Sequence, residues 1–462
     1  MIRFFQRLQD FNVSVICFAG SAIALGHALQ FDNGFYHPVA LNWLTAAFLL
    51  AVVGLLLHRF AATVSHRSAM ALQALLVAGI VWQATQLFFA RPGLYITEQA
   101  HLSLFKAGIV AQVVLVAIGV LNIPALRRIW FAGLLATSMG LGVWMIKAAP
   151  DPYIDVVEVH KEAIEALIHH RDPYRISFAN IYENAETIKF YNPDAIIGGR
   201  LVIAYPYPPA SLLLVVPGHV LFGDYRYSEL ALLVAAAALI GFSRRGKPAQ
   251  LAAALLLTTP RIWFVIEEGW SEPVALFMLA LTVFLMIRNP IASGWAAGIL
   301  VVTKQYLGFA GLAVVRLVFA DLPRWKWTAI SAVFAASAVT LPIALWHPNA
   351  FMRNVVWLQA REPFRIDSLS YLSWAAREGW GRGSFFWAIG AALLTAILSL
   401  FTTRNTAQGF AASVALITFA FFAFGSKAFC NYYFFVIGAL CCAIAVFPLE
   451  SDSTRSAADI SP

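Results

Sequence analysis

Apolar residues run along this chain in long blocks broken by short polar turns, the pattern of helices that meet apolar surroundings on most sides. A block of about 20 such residues can cross a bilayer, and a slightly shorter one can do so when buried among others. Fourteen blocks are read as spans: 11–30, 38–57, 69–90, 104–121, 129–148, 227–243, 248–264, 272–288, 291–303, 306–321, 328–346, 384–402, 407–425 and 431–448. The expected fold is an all-α polytopic membrane protein. Cations mark alternate turns: Arg3 and Arg7, Arg59 and Arg67, Arg127 and Arg128, Arg244 to Lys247, Arg288, Arg324 and Lys326, and Arg404. Placing these turns in the cytoplasm puts both termini inside and sends residues 149–207 outward.

Composition agrees. Of 462 residues, 60% are hydrophobic and 12% charged, with a mean hydropathy of +0.74. A soluble domain carries roughly 25% charged residues, so this chain has too few to coat a particle in water. The net charge of +8 does not suggest nucleic acid, because the cations lie in short clusters between apolar blocks. Cys17, Cys430, Cys441 and Cys442 lack metal-ligand spacing and read as membrane thiols. The opening MIRFFQR and the block after it read as an uncleaved first span, and the polar tail 449–462 as a disordered cytoplasmic end.

Residues 208–223 are apolar but interrupted by Pro217 and Gly218, too short to cross. They are expected to form a re-entrant or juxtamembrane helix beside a cavity, since irregular backbone at membrane depth needs protein or water around it. The outer loop 149–207 holds nine of the 24 acids. Asp151 before Pro152 fits an N-cap, and His169-His170-Arg171 before Asp172-Pro173 fits a helix end, which predicts a helix over 152–170. Asp155, Glu158, Glu162 and Glu165 then share one face about 80° wide. Most of these acids suit a solvated face. Asp155 stands apart, because it lies near the helix start just after a span, where a carboxylate can face a lipid head group.

Five further segments meet the same outer face: the YPYPP of Tyr205–Pro209, with Tyr207 between its prolines, Glu267 to Pro273, Lys304-Gln305, the loop 347–383, and Ser426–Phe434 with Lys427, Asn431 and Tyr432. A lysine deep in a membrane costs roughly 2.5–3.5 kcal/mol and so has a partner or a task, unless it snorkels. The loop 347–383 carries Arg353, Arg361, Arg365, Arg377 and Arg382, and guanidinium groups match phosphate oxygens. The motifs GxSxG, HExxH, CxxC and GxxxxGK[ST] do not occur, which argues against hydrolase, zinc-protease and ATPase chemistry.

The order of these motifs resembles that of the GT-C integral-membrane glycosyltransferases, and within them the family 87 polyprenol-phosphate-mannose-dependent mannosyltransferases. The matching residues are Asp155, Ala163 and Leu167 before Asp172–Tyr174, Tyr205–Pro209, Pro217, Glu272–Pro273, Thr303–Gln305 and Pro363–Ser370, within residues 140–440. The resemblance implies a hexosyltransferase that takes a sugar, mannose by family, from a polyprenyl-phosphate donor to a glycan or glycolipid acceptor of the cell envelope. It implies a bacterial plasma-membrane enzyme with its site on the outer face. Asp155 falls on the proposed general base. Lys304, Arg361 and Arg365 would hold the donor phosphate, and Tyr205, Tyr207, Glu272, Gln305, Asp367, Asn431 and Tyr432 would bind substrate. No cofactor is implied, and the lack of a DxD pair leaves a divalent metal open. Residues 129–448 form the catalytic module on this reading, and 1–128 have no assigned role. The rivals are a secondary transporter, which would show paired broken helices with charge mid-span, and a polysaccharide polymerase or ligase acting on lipid pyrophosphate.

Overall fold

The computed structural model describes residues 12–60, 66–182, 184–192 and 195–447; the tail 449–462, Arg3, Arg7, Glu183 and Asp194 lie outside them. Nearly all regular structure is helical. Five long helices come first: α1 (Val13–Phe31), α2 (Pro38–Leu57), α3 (His66–Phe89), α4 (Leu102–Leu121) and α5 (Trp130–Ala148). Then α6 (Asp155–Ile168), β1 (Phe178–Ala179), α7 (Asn184–Phe190), β2 (Ile196–Ile197) and β3 (Arg200–Leu201) form a polar insertion, its strands pairing antiparallel in the order β1-β3-β2. One helix was expected in this insertion, and the small sheet and α7 are additions.

An apolar series follows: α8 (Pro209–Phe222), α9 (Arg226–Gly241), α10 (Lys247–Leu257), α11 (Ile262–Glu267), α12 (Glu272–Met286), α13 (Pro290–Val301), α14 (Ala310–Ala320) and α15 (Leu322–Ala344). A chain of short turns then leads through α16 (Pro348–Met352), α17 (Leu358–Arg361) and α18 (Tyr371–Arg377) to α19 (Phe386–Thr402), α20 (Ala407–Ala423) and α21 (Cys430–Ala445). Six described helices, α1 to α5 and α15, are long and apolar enough to cross a membrane, and the remaining apolar helices are 10–17 residues long. The chain thus has the helices of a membrane protein.

Two expected boundaries are corrected. The block 248–264 is broken, because Pro260 cannot continue a helix, and Arg261 turns the chain with a left-handed φ of 67°. The helix expected over 152–170 starts at Asp155: Ile154 N–H bonds Pro152 O at 2.9 Å in a tight turn, so the side chain of Asp151 is left in solvent and caps nothing. At its other end His169 is the C-cap and His170 adopts φ 56°, as the sequence predicts.

Small residues bring the helices together, as lipid offers no hydrophobic drive between them. Ser14 and Ser21 of α1 donate to Gly54 O and Ala47 O of α2 at 2.7 and 2.8 Å. Gly294 and Gly298 of α13, a GxxxG pair, lie against the α15 backbone at Thr328 and Ala332. The polar turns gather at two ends. At one end Tyr36 N–H bonds Asp367 O (2.8 Å), Thr97 N–H bonds Ala148 O (2.8 Å), and Leu369 N–H bonds Ala428 O (2.9 Å). At the other, cations cap helix carbonyls: Lys247 on Val120 O (2.9 Å), Arg59 on Phe401 O (3.1 Å), Arg288 on Phe242 O (3.1 Å).

A Cβ at Gly298 would press on the Ala332 carbonyl, whereas one at Gly390 meets open space. Gly298→Ala is therefore expected to cost about 1–3 kcal/mol through overpacking. Gly390→Ala is expected to gain roughly 0.5–1 kcal/mol from helix propensity. Thermal unfolding followed by size-exclusion chromatography reads the contrast.

Candidate active site

The site is assembled by buried charges that hold loops in place. Arg226 opens α9 and is 1% exposed. Its guanidinium bonds Asp224 (2.6 Å), Ala149 O (2.9 Å), Pro150 O (3.1 Å) and Glu267 O (3.1 Å), joining the ends of α5 and α11 to the start of α9. The Glu267 carboxylate in turn accepts the N–H groups of Leu94 and Tyr95 at 2.6 and 2.7 Å, which brings the α3–α4 turn to the same place. Asp155 follows the α5 end by one short turn. It sits in the first turn of α6, where the helix dipole favours a carboxylate.

These elements enclose a cavity of about 330 Å³. Asp155, Tyr207, Lys304, Arg365, Asn431 and Tyr432 all line it. The Asp155 carboxylate accepts a hydrogen bond from the Tyr191 hydroxyl, and its backbone N–H donates to the Tyr182 hydroxyl at 3.2 Å. Burial raises its pKa above the ordinary carboxylate range, while those two hydroxyls, the Val156 N–H and the nearby Arg365 pull it back. A carboxylate in this state can accept a proton nearer neutral pH.

Each cation has its own acid. Arg365 makes a two-pronged pair with Asp367 (2.9 and 2.8 Å) and stacks between Phe190 and Phe429, each ring centre 4.6 Å away. Burial alone would raise the Asp367 pKa, but Arg365 overrides it and holds the carboxyl below its usual range. Lys304, 3% exposed, pairs with Glu272 at 3.3 Å and lies over the Tyr207 ring at 4.2 Å. Lys427 pairs with Glu362, and both line the cavity.

Other expected site residues act from outside the cavity. Tyr205 was expected to bind substrate; it is fully buried and stands one row behind the cavity, bonding His160 Nε2 (3.1 Å) and Ser211 Oγ (2.8 Å). His160 is stacked between Tyr225 and Tyr207, and burial lowers its pKa to about 3, so it is neutral. Glu272 and Asp367 hold the cations. Gln305 donates to Val355 O (3.1 Å) and Pro206 O, clamping two loops, and borders a side chamber with Lys304. Arg361 is not brought together with Asp155; it is exposed and lines a neighbouring cavity.

Several lining residues were not singled out from sequence. Tyr182 and Tyr191 lie in an irregular loop, where no periodicity marks them. Glu268, expected only as part of the acidic segment 267–273, lines the cavity, is 3% exposed and has a buried carboxyl oxygen without a hydrogen-bond partner. Asn33, Phe35, Leu94 and Tyr95 come from the α1–α2 and α3–α4 turns of the N-terminal part that had no assigned role. Among the described residues no group of three or more His, Cys, Asp or Glu side chains is placed to hold a metal.

The Lys304–Glu272 pair yields a stability prediction. Glu272→Gln leaves a buried ammonium uncompensated and is expected to cost about 3–5 kcal/mol, whereas the Lys304→Met, Glu272→Leu double variant recovers most of it. Thermal unfolding of the purified variants checks this. A search of family models, curated proteins and solved structures finds nothing that matches this chain.

Proposed function

We propose that the chain is a membrane glycosyltransferase that moves a hexose, mannose by the resemblance in its motifs, from a polyprenyl-phosphate donor to a lipid-linked or cell-envelope glycan acceptor. The observation that carries the reading is the single cavity in which a raised-pKa carboxylate, Asp155, faces two oriented cations, Lys304 and Arg365. Fourteen spans of GT-C type, a site on the outer face and a plasma-membrane location belong to the same reading.

In the reaction the acceptor hydroxyl oxygen forms a bond to the anomeric carbon as the bond from that carbon to the donor phosphate breaks. Asp155 takes the hydroxyl proton, and the leaving phosphate keeps the electron pair. Single displacement inverts the anomeric centre. Lys304 spends one donor on Glu272, and Arg365 two on Asp367, so N–H groups are left on both for phosphate oxygens. A second chamber of about 150 Å³ shares Tyr207, Lys304, Lys427 and Tyr432 with the main cavity and is walled by Phe309, Phe385 and Phe421. Such a wall suits the first isoprene units of a donor whose phosphate lies against Lys304. The Glu268 carboxyl offers an acceptor for sugar hydroxyls.

Transfer of radiolabelled mannose from a synthetic polyprenyl phosphate carrier by purified protein tests the reading. Asp155→Asn is expected to lower kcat by about 10²–10⁴ with folding intact. Unaltered turnover, transfer without a lipid carrier, or substrate flux into liposomes overturns it.

The pH profile gives a second check. Asp155 works deprotonated, and its pKa is raised, so kcat/KM is expected to fall on acidification from a point above 3.8, the ordinary aspartate value. The Tyr191 hydrogen bond lowers that pKa, so Tyr191→Phe is expected to move the acid limb to higher pH. A limb that stays in place or moves down would refute the assignment.

A further inference from the structure

A smaller cavity of about 170 Å³ opens beside the main one, and its lining includes Asn192, Arg353, Trp357 and Arg361. It shares six lining residues with the main cavity, Tyr191 and Glu362 among them, but none with the phenylalanine-walled chamber. Arg353, Trp357 and Arg361 stand four residues apart along the helical stretch that follows α15, and all three are exposed. A π-turn over Arg353–Trp357 widens this stretch, a distortion frequent at functional sites. Asn192 Nδ2 donates to Arg361 O at 2.5 Å and anchors its far end.

The charge here differs from that of the main cavity. Arg365, Lys304 and Lys427 each have a carboxylate, whereas among the described residues neither Arg353 nor Arg361 pairs with one. Glu362, the acid at the boundary, is engaged by Lys427. Two guanidinium groups beside a tryptophan form a surface for an anion next to a sugar ring, since guanidinium donors match carboxylate and phosphate oxygens and an indole face packs on apolar ring edges. Tyr191 forms the common wall, and its hydroxyl sits on Asp155. A ligand hydroxyl arriving from this side reaches the carboxylate by taking the place of the tyrosine hydroxyl.

We propose that this second cavity is the acceptor subsite and that it selects a glycan with an anionic group, a phosphodiester or a carboxylate, next to the sugar to be extended. The inference rests on the transferase reading of the main cavity, and its test does not require transfer. Equilibrium binding to purified full-length protein, without donor, compares glucose 6-phosphate with glucose and dioctanoyl phosphatidylglycerol with dioctanoylglycerol. The charged member of at least one pair is expected to bind at least tenfold tighter. Arg353→Gln with Arg361→Gln removes that preference, and Arg245→Gln at the opposite end leaves it. Preference in the sugar pair alone marks a soluble source of the anion, and preference in the lipid pair marks a membrane headgroup. Arg361→Gln alone, checked for folding by size exclusion, is expected to lower the preference in part. Equal binding of charged and neutral probes, or a preference that survives the double variant, overturns the subsite. Charge-selective binding in a protein that shows no transfer would instead overturn the donor chemistry and leave the anion site standing.

Discussion

A charge inside an apolar bundle is tolerated only when it is paired or bonded to backbone dipoles, and that constraint organises this molecule. Arg226 shows it most fully: one guanidinium satisfies Asp224 and three carbonyls, and thereby fixes where α5 ends, where α11 ends and where α9 begins. Asp155 occupies its place because those three ends are joined. The Glu267 carboxylate extends the same logic to the α3–α4 turn through two backbone N–H groups. The N-terminal helices are thus part of the cavity's construction, and the packing gives them a wall to build.

The two ends of the bundle meet the constraint differently. At the end opposite the cavity, lysine and arginine cap helix carbonyls, which neutralises dipole ends and leaves few acids nearby. At the cavity end, three cations that line the cavity each take a carboxylate: Arg365 with Asp367, Lys304 with Glu272, Lys427 with Glu362. Pairing of this kind fixes a cation's direction without exhausting its donors, which is what recognition of an anion needs. An unpaired lysine would be costly to bury and free to turn away.

Much of the helical layout was legible, because an apolar block is a signal averaged over many residues. Asp155 was legible for a local reason: an acid one turn beyond a span has few places to go. Its partners were not, since Tyr182 and Tyr191 reach it through a loop whose course depends on the small sheet and on α7. Arg361 and Arg365 illustrate the limit. Only four residues separate them, and helical spacing would put them side by side. The helix stops at Arg361, Glu362 is extended ahead of Pro363, and Arg365 enters the main cavity while Arg361 faces its neighbour. The break at Pro260 carried a visible signal that the apolar block around it concealed.

Displacement at a sugar carbon needs the entering and leaving oxygens on opposite sides of the ring, and a site for it must keep two ligands apart while bringing one atom of each together. The three cavities form such a row. The phenylalanine-walled chamber joins the centre through Tyr207, Lys304, Lys427 and Tyr432; the arginine-lined one joins it through another set that includes Tyr191 and Glu362; the outer two share nothing. Asp155 is held to the Tyr191 side by that tyrosine's hydroxyl, and Lys304 lies where the central cavity joins the phenylalanine-walled chamber. A transporter needs one substrate position reached from two faces, whereas the proposed transferase needs two positions flanking one carboxylate, and the two outer cavities flank the one that Asp155 lines.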